Sequence, residues 1–414
     1  MANDAASQRP ATLARGQVQL RLLLALGALL AVAILVFLRK PDALLAARFS
    51  AEDAVIFFNE DRRYGLAALF KTYAGYHHLL PRIVALLVGR ADLVLIPLLY
   101  ACAAWLAFIG AAAVALCAKI NLALPVRIAL ALSVAFVPHG GEAWLILTNI
   151  QWILAPALLL LLLQKPPTTG WSQALVLVVI ALLGLTGPFL ALFLPVLLVQ
   201  TVVERNFSRY RLLLLAVAFV FAYLQLRGLA GRDSAKIAAP LAWIARKFAT
   251  NFIGTLFYGP PLLVRPKTNF WAYSIIFLFV LIAMATSAAR RGVPLVGYLL
   301  LGAIICLLAG YYTVRDSPDM ITPFMGANRY TLPPNLLLMW SMIIFGFAGV
   351  SSIGARGLAT VMLLSILITS LMHFQFNLPP SEWATYVARY HDDPQVLIPI
   401  DPPSWVFRIE PRQQ

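Results

Sequence analysis

Charged residues are scarce in this sequence, and cysteine is rarer still. Asp, Glu, Lys and Arg make up 12% of the 414 residues and 61% are apolar, whereas soluble domains typically carry about 25% charge. The composition therefore excludes an ordinary water-soluble domain and is typical of a membrane protein. The three cysteines, Cys102, Cys117 and Cys306, all lie within apolar runs, which argues against a disulfide framework.

A glycine-rich loop of the kind that cradles nucleotide phosphates is also missing, so we expect no soluble cofactor. A divalent metal has no support in the sequence, because the adjacent His77 and His78 cannot both face one ion from a helix or a strand. The net charge is +15. Because the basic residues flank apolar runs, we expect membrane lipids rather than nucleic acid as their partner.

Apolar runs of about 20 residues, long enough to cross roughly 30 Å of hydrocarbon as helices, dominate the sequence. They predict an all-α polytopic membrane protein with about eleven transmembrane helices. The stretch 171–203 would be ~48 Å long as one helix, so we divide it at Gly187-Pro188, with a single span as the alternative. The predicted spans lie near 22–38, 94–117, 121–138, 146–163, 171–186, 188–203, 212–226, 271–288, 293–310, 335–350 and 357–372.

Lys and Arg cluster before the first predicted span and in every second loop after it. By the positive-inside rule the N-terminus then lies in the cytoplasm. Of the 17 acidic residues only Asp4 and Glu204 fall on the cytoplasmic side, and all five histidines fall on the outer side. The predicted organisation is a cytoplasmic segment 1–21, a transmembrane domain 22–372 with outer loops 39–93, 227–270 and 311–334, and an outer tail 373–414.

The first outer loop brings acids, aromatic residues, histidines and arginines close together. Its residues 50–64, SAEDAVIFFNEDRRY, predict an amphipathic helix at the membrane surface, and a second amphipathic stretch follows over 66–73. Ser50-x-x-Asp53 resembles a capping box, which would make Asp53 a helix-start residue. This role and a catalytic one can coexist.

Transfer of a sugar from a lipid phosphate needs few protein groups. The leaving phosphate is already a stable anion, so it needs cations rather than the protonating carboxylic acid of a glycosidase. Asp53 or Glu52 can take the proton of the acceptor, and arginine suits the phosphate because its guanidinium is planar and bidentate. The candidate partners of the donor phosphate are Arg82, Arg329, Lys71, His77 and His78.

Polar residues at the edge of two apolar runs mark a second candidate region. Glu142 heads an apolar hairpin, and Asn149 and Gln151 follow it into the membrane. Such residues are costly in lipid and usually have a function, so we predict that they bind the sugar or the acceptor together with Tyr76. The alternative is a set of interhelical hydrogen bonds.

Together these features resemble the GT-C superfamily of membrane glycosyltransferases, which use polyprenyl-phosphate-linked sugars. The similar elements are one span after a cytoplasmic N-terminus, an outer loop with the acidic pair Glu52-Asp53, and the segment 75–82 before the second span. Thr148–Trp152 and Gly187-Pro188 look like blocks of uncharacterised bacterial membrane proteins thought to belong to the same superfamily. The pair is Glu-Asp here, whereas Asp-Asp or Asp-Glu is commoner.

The resemblance implies a multi-pass protein of the bacterial inner membrane with its active site, loops and tail in the periplasm. It also implies an inverting transfer with Asp53 as the base and with a glycan, a lipid or a surface polymer as the acceptor. Two other classes stay open. A transporter or lipid flippase would place polar groups near the bilayer midplane, and a noncatalytic scaffold would retain only a glycosyltransferase-like shell.

Overall fold

The computed structural model describes residues 5–229, 246–258, 270–315, 321–324, 327–347, 353–402 and 404–412, with Pro240 and Trp243. Helices make up 73% of the structure, which confirms the prediction of a mainly helical protein. The longer helices are α1 (Ala5–Arg39), α4 (Leu79–Val88), α5 (Ile96–Cys117), α6 (Leu124–Phe136), α7 (Ile150–Leu163), α8 (Gly170–Gly184), α9 (Phe189–Val203), α10 (Arg209–Leu229), α12 (Phe270–Arg290), α13 (Leu295–Thr313), α14 (Leu332–Phe347), α15 (Ile353–Met372) and α16 (Trp383–Asp392). The short helices are α2 (Asp42–Leu45), α3 (Asn59–Tyr64) and α11 (Thr255–Tyr258).

Six helical segments of the described residues are long and apolar enough to cross a membrane, and they indicate a membrane-embedded protein. They are Gly16–Arg39, Ile96–Cys117, Arg209–Gly228, Leu295–Thr313, Asn328–Phe347 and Ile353–Met372. The other five predicted spans coincide with apolar helices of 10–17 residues, so the count of eleven spans stays a prediction. Two helices, α8 and α9, occupy 171–203 and are separated at Gly187-Pro188, as the sequence predicts.

Helices α7 and α14 form the centre of the bundle. Every residue of α7 is buried, and so are the residues of α14 up to Gly346. The outward faces of α1 and α10, by contrast, expose large apolar side chains such as Leu23 and Val220. An exposed apolar surface of this extent suits a lipid environment rather than water.

Arg39 joins the end of α1 to the end of α6. It is fully buried, and its Nη1 atom donates to the carbonyl oxygens of Ala135 and Val137 at 3.0 and 2.9 Å. Its guanidinium carbon lies 4.2 Å from the centre of the Trp144 ring. Because several carbonyls and an aromatic face receive the charge, Arg39 fixes the loop after α6 that carries Glu142.

The predicted first outer loop is helical over 51–64, with a π-helical turn at Asp53–Phe58 that continues into α3. A 3₁₀ helix, Gly65–Phe70, follows. The predicted second amphipathic helix does not reach residue 73, because the chain turns there into a hairpin of β1 (Thr72–Tyr73) and β2 (Tyr76–His77). The turn residues Ala74 and Gly75 have φ of +52° and +85°, as a tight two-residue hairpin turn requires.

The C-terminal tail packs over this loop. Its strands β3 (Ile398–Ile400) and β4 (Trp405–Phe407) form an antiparallel hairpin. The backbone N–H of Ala51 donates to the carbonyl of Asp401 at 2.6 Å, and Ala51 has a φ of +31°, a conformation that L-residues rarely adopt. The tail therefore holds the backbone immediately before Glu52.

Most of the predicted outer segments meet at one end of the bundle. The loops after α1 and α6 and the residues before α14 line a common cavity with the tail. Much of the predicted loop 227–270 and part of 311–334 lie outside the described residues. The sequence-based division into domains stays a prediction.

Candidate functional site

Two cavities meet at Glu52. The first has a volume of about 860 Å³, and the second, which lies between α7, α9 and α13, about 320 Å³. The residues that line both cavities are Glu52, Asn149, Arg329 and Tyr330. Glu52 is thus a carboxylate that two separate molecules can approach from different sides.

Tyr73 and Arg329 determine the surroundings of the Glu52 carboxylate. The hydroxyl of Tyr73 donates to Oε1 of Glu52 at 3.2 Å. Burial, together with the negative charge of Glu52, raises the pKa of Tyr73 to about 12, so this hydroxyl stays protonated and remains a donor. Arg329 interacts electrostatically with both Glu52 and Glu142.

Glu142 and Arg329 form an ion pair across the first cavity. The Nη1 atom of Arg329 donates to Oε1 of Glu142, and the Arg329 backbone N–H lies 3.4 Å from Oε2. Both side chains are about one-third exposed, so a ligand can reach them. Gly140 lets the loop before Glu142 pack closely against Phe324, because a Cβ atom there would lie 2.6 Å from the Phe324 carbonyl oxygen.

Asp53 lines neither of these two cavities. Its carboxylate accepts hydrogen bonds from the backbone N–H groups of Leu147 and Thr148 at 3.0 and 2.7 Å, and from the Thr148 hydroxyl. Burial raises the pKa of Asp53 to about 6, and the hydrogen bonds from Thr148 and Leu147 oppose this rise. Asp53 caps the 3₁₀ turn Leu147–Asn149 and makes no capping bond to its own helix. The predicted capping box is therefore wrong, because the turn that Asp53 caps belongs to a different segment of the chain.

Three of the predicted phosphate partners do not line either cavity. Arg82 is buried and pairs with Glu60 at 2.7 Å. The ammonium group of Lys71 lies 3.8 Å from the centre of the Tyr64 ring. The backbone N–H of His77 donates to Oε1 of Gln225 at 2.7 Å. Arg82 and Lys71 thus contact other groups of the protein, and the role of all three residues at a phosphate stays a prediction.

His78 does line the second cavity, but as a neutral group. It is buried, and burial lowers its pKa to about 3. Its Nε2 atom lies 3.4 Å from Nε2 of Gln151, and its ring stacks on Tyr76 with the centroids 4.4 Å apart. His78 can therefore exchange hydrogen bonds with a ligand, but it does not supply a positive charge.

Gln151 and Trp152 present unsatisfied polar atoms to the second cavity. Within the described part of the chain, Oε1 of Gln151 and Nε1 of Trp152 have no hydrogen-bond partner, although both residues are buried. Nε2 of Gln151 donates to the Tyr76 hydroxyl at 3.3 Å. Buried polar atoms normally have a partner, so an acceptor and a donor at this place indicate a polar ligand. Asn149, Gln151 and Tyr76 line this cavity together, and their binding of a sugar or of the acceptor stays a prediction.

Several residues of the site were not predicted from the sequence. Lys40 lines the first cavity and is buried, with its Nζ atom 3.2 Å from the Trp144 carbonyl oxygen. Burial lowers the pKa of Lys40 to about 8, and the charge of Asp401 counteracts this effect. Asp401 and Trp405 reach the same cavity from the tail. The position of Lys40 directly after the first predicted span could have indicated a role in the site. The residues around Asp401 in the sequence indicate no such role.

The described residues contain no group of three His, Cys, Asp or Glu side chains that could hold a metal ion. The expectation that no cofactor is needed stays a prediction.

No family model, curated protein or solved structure matches this chain.

Proposed function

We propose that this protein is an integral membrane glycosyltransferase that transfers a sugar from a polyprenyl-phosphate-linked donor to a periplasmic glycan, lipid or surface polymer. The observation that carries this proposal is the place of Glu52 between two cavities. A transferase with a lipid-linked donor must bind two substrates, the donor and the acceptor, on either side of one general base. A site that binds a single molecule would need only one cavity.

Glu52 is the general base in this proposal, and Asp53 positions it. The acceptor hydroxyl attacks the anomeric carbon of the donor sugar while Glu52 takes the hydroxyl proton. The bond between the anomeric carbon and the phosphate oxygen breaks, and the lipid phosphate leaves with the bonding electrons. Attack opposite the leaving group gives inversion at that carbon. The hydrogen bond from Tyr73 orients Glu52 for this step.

Arg329 is the proposed partner of the donor phosphate. It is the one member of the predicted cation set that both lines the two cavities and is positively charged. Glu142 orients its guanidinium from one side, and a phosphate oxygen would bind along the remaining edge.

The second cavity suits the donor, since its lining combines Gln151 and Trp152 with the apolar Leu192 and Ala309 of two adjacent helices. Its apolar part would accommodate the first lipid units and its polar part the sugar. The first cavity is larger and contains Lys40 and Trp405, and we assign it to the acceptor. An indole ring offers the apolar face on which a sugar ring packs.

The orientation in the membrane is part of the same proposal. The helices at the eleven predicted spans cross the bacterial inner membrane, and the end that carries Glu52 faces the periplasm. The exposed side chains of Leu66 and Phe70 in the first outer loop support an interfacial position for this loop.

Transfer from a synthetic polyprenyl-phosphate sugar by the purified protein tests the proposal. We expect Glu52→Gln to lower the rate by about 10²–10⁴-fold, which is the usual contribution of a general base, with the melting temperature unchanged. The same protein in liposomes should not move the donor across the bilayer. Flux without transfer would favour a transporter or flippase, and neither activity would favour a noncatalytic scaffold.

A further inference from the structure

A second polar cavity lies at the opposite end of the helices, far from the residues of the proposed reaction. Its volume is about 210 Å³, and it lies between the ends of α5, α7 and α9 and the start of α13. Its charged lining residues are Lys119, Lys165, Glu204 and Arg211. Three cations and one carboxylate leave this lining with a net charge of +2.

The carboxylate of Glu204 is already compensated. Arg211 is buried, and its Nη1 atom donates to Oε1 of Gln200 at 3.0 Å. Nε2 of Gln200 in turn donates to the two carboxylate oxygens of Glu204 at 3.2 and 3.3 Å. Gln200 therefore links the positive and the negative group, and the surplus charge of the cavity belongs to the two lysines.

Lys119 and Lys165 both line the cavity, and their backbones are joined by a hydrogen bond. The backbone N–H of Lys165 donates to the carbonyl of Lys119 at 2.9 Å. Both residues are exposed, and neither has an ion-pair partner within the described ranges. An anion that enters the cavity would therefore be attracted by both ammonium groups.

Gln164 adds an unpartnered donor to this cavity. Only 5% of the residue is exposed, and its Oε1 atom accepts the backbone N–H of Lys119 at 3.0 Å. Its Nε2 atom has no hydrogen-bond partner in the part of the chain that the structure describes. The two ammonium groups and the amide N–H₂ of Gln164 are thus all hydrogen-bond donors.

We propose that this cavity binds a phosphate group, which Lys119, Lys165 and the amide of Gln164 hold. A phosphate is an acceptor-rich anion that matches a set of donors with a positive charge. Leu122, Leu163 and Leu295 also line the cavity, at the ends of apolar helices, where the headgroups of a bilayer lie. The phosphate belongs either to an anionic lipid headgroup or to a free phosphate ion. The inference does not depend on the proposed transferase activity.

The test uses the full-length protein in nanodiscs of phosphatidylcholine. One arm adds phosphatidylglycerol to the nanodisc and the other adds inorganic phosphate to the buffer. Native mass spectrometry counts the bound lipid, and the melting temperature reports phosphate binding. Lys119→Ala with Lys165→Ala should weaken binding at least about tenfold, since each basic residue near an anionic lipid contributes substantially. Gln164→Leu, which keeps both charges, should weaken it less.

The matched control is Arg290→Ala with Arg356→Ala. These two arginines are exposed, belong to the same end of the bundle and do not line the cavity, so the pair removes the same charge and should leave binding unchanged. A response to phosphatidylglycerol alone assigns the site to a lipid headgroup, and a response to inorganic phosphate alone assigns it to the free ion. No binding in either arm, or an equal loss in the control pair, overturns the proposal.

Discussion

Asp53 and Thr148 are 95 positions apart in the chain, yet Oδ1 of Asp53 accepts both the backbone N–H of Thr148, at 2.7 Å, and its hydroxyl. These bonds join the π-helical turn of the loop after α1 to the segment that begins α7. Glu52, the preceding residue, is thereby held with its side chain toward the two cavities. The buried carboxylate of Asp53, with its three hydrogen-bond donors, therefore supports the position of the accessible carboxylate of Glu52.

Asp53→Asn should lower the free energy of unfolding by about 1–3 kcal/mol, because the amide N–H₂ of Asn would oppose a backbone N–H and leave it unsatisfied. Thermal denaturation in detergent, followed by tryptophan fluorescence, measures this loss. Asp392→Asn, at an exposed position of α16, is the control and should melt like the unchanged protein. An Asp53→Asn protein of normal stability that no longer transfers sugar would return the role of base to Asp53.

Arg329→Lys should raise the KM for the donor by about 10–100-fold and lower kcat less. Lysine keeps the charge but not the planar fork, so it cannot serve Glu142 and a phosphate at the same time. Steady-state kinetics with a varied donor concentration gives both constants. Arg63→Lys is the control, since Arg63 is exposed and lines neither cavity. Equal effects of the two substitutions would remove Arg329 from the phosphate site.

His78 should make the protein sensitive to acid. Burial lowers its pKa from 6.5 to about 3, so between these values the unfolded chain binds a proton that the folded protein excludes. The stability is fully present above pH 6.5 and falls as the pH decreases, by about 3 kcal/mol at pH 4. Melting temperatures between pH 4 and 7 should fall more steeply for the unchanged protein than for His78→Gln.

The control for this pH series is His391→Gln, because His391 is exposed in the tail. This variant should keep the steep slope of the unchanged protein. If the curves of all three proteins run parallel, protonation of His78 does not limit stability.

Gly187→Ala should lower the free energy of unfolding by about 1–3 kcal/mol. A Cβ atom at this position would lie 2.2 Å from Oε1 of Gln151, so the side chain that lines the second cavity must move. Gly170→Ala is the matched control, since no atom lies within 4 Å of its Cβ position. The melting temperatures of the two variants test the difference, and an unchanged Gly187→Ala protein would show that Gln151 can shift freely.

The positions of the helices could be predicted because each apolar run is a local property of the chain. Lipid or a protein core forces backbone N–H and C=O groups to pair within a segment, so eleven predicted segments are eleven helices in the structure. Gly187-Pro188 lies between two of them, because Pro188 lacks the N–H of a helical residue and disfavours a helical conformation at the residue before it. The hairpin at Ala74-Gly75 was missed, since the spacing of Leu66, Leu69 and Phe70 also fits a helix.

The candidate site could be predicted only in part. Glu142, Asn149, Gln151, Tyr76 and Arg329 do line the cavities. Arg82 was a reasonable phosphate partner by charge, but it pairs with Glu60, 22 residues earlier, and lines neither cavity. Whether a cation reaches a cavity depends on how its helix packs in three dimensions, and sequence order does not reveal this.

By itself, the sequence determined that this chain is helical and apolar, where its segments break, and that an acidic pair follows the first of them. Hydrophobicity and turn residues act over a few positions, so these features need no knowledge of distant contacts. Only the tertiary structure decided that Glu52 faces the cavities while Asp53 supports it. That choice depends on hydrogen bonds from Leu147 and Thr148 and on a backbone clamp from Asp401, which come from remote parts of the chain.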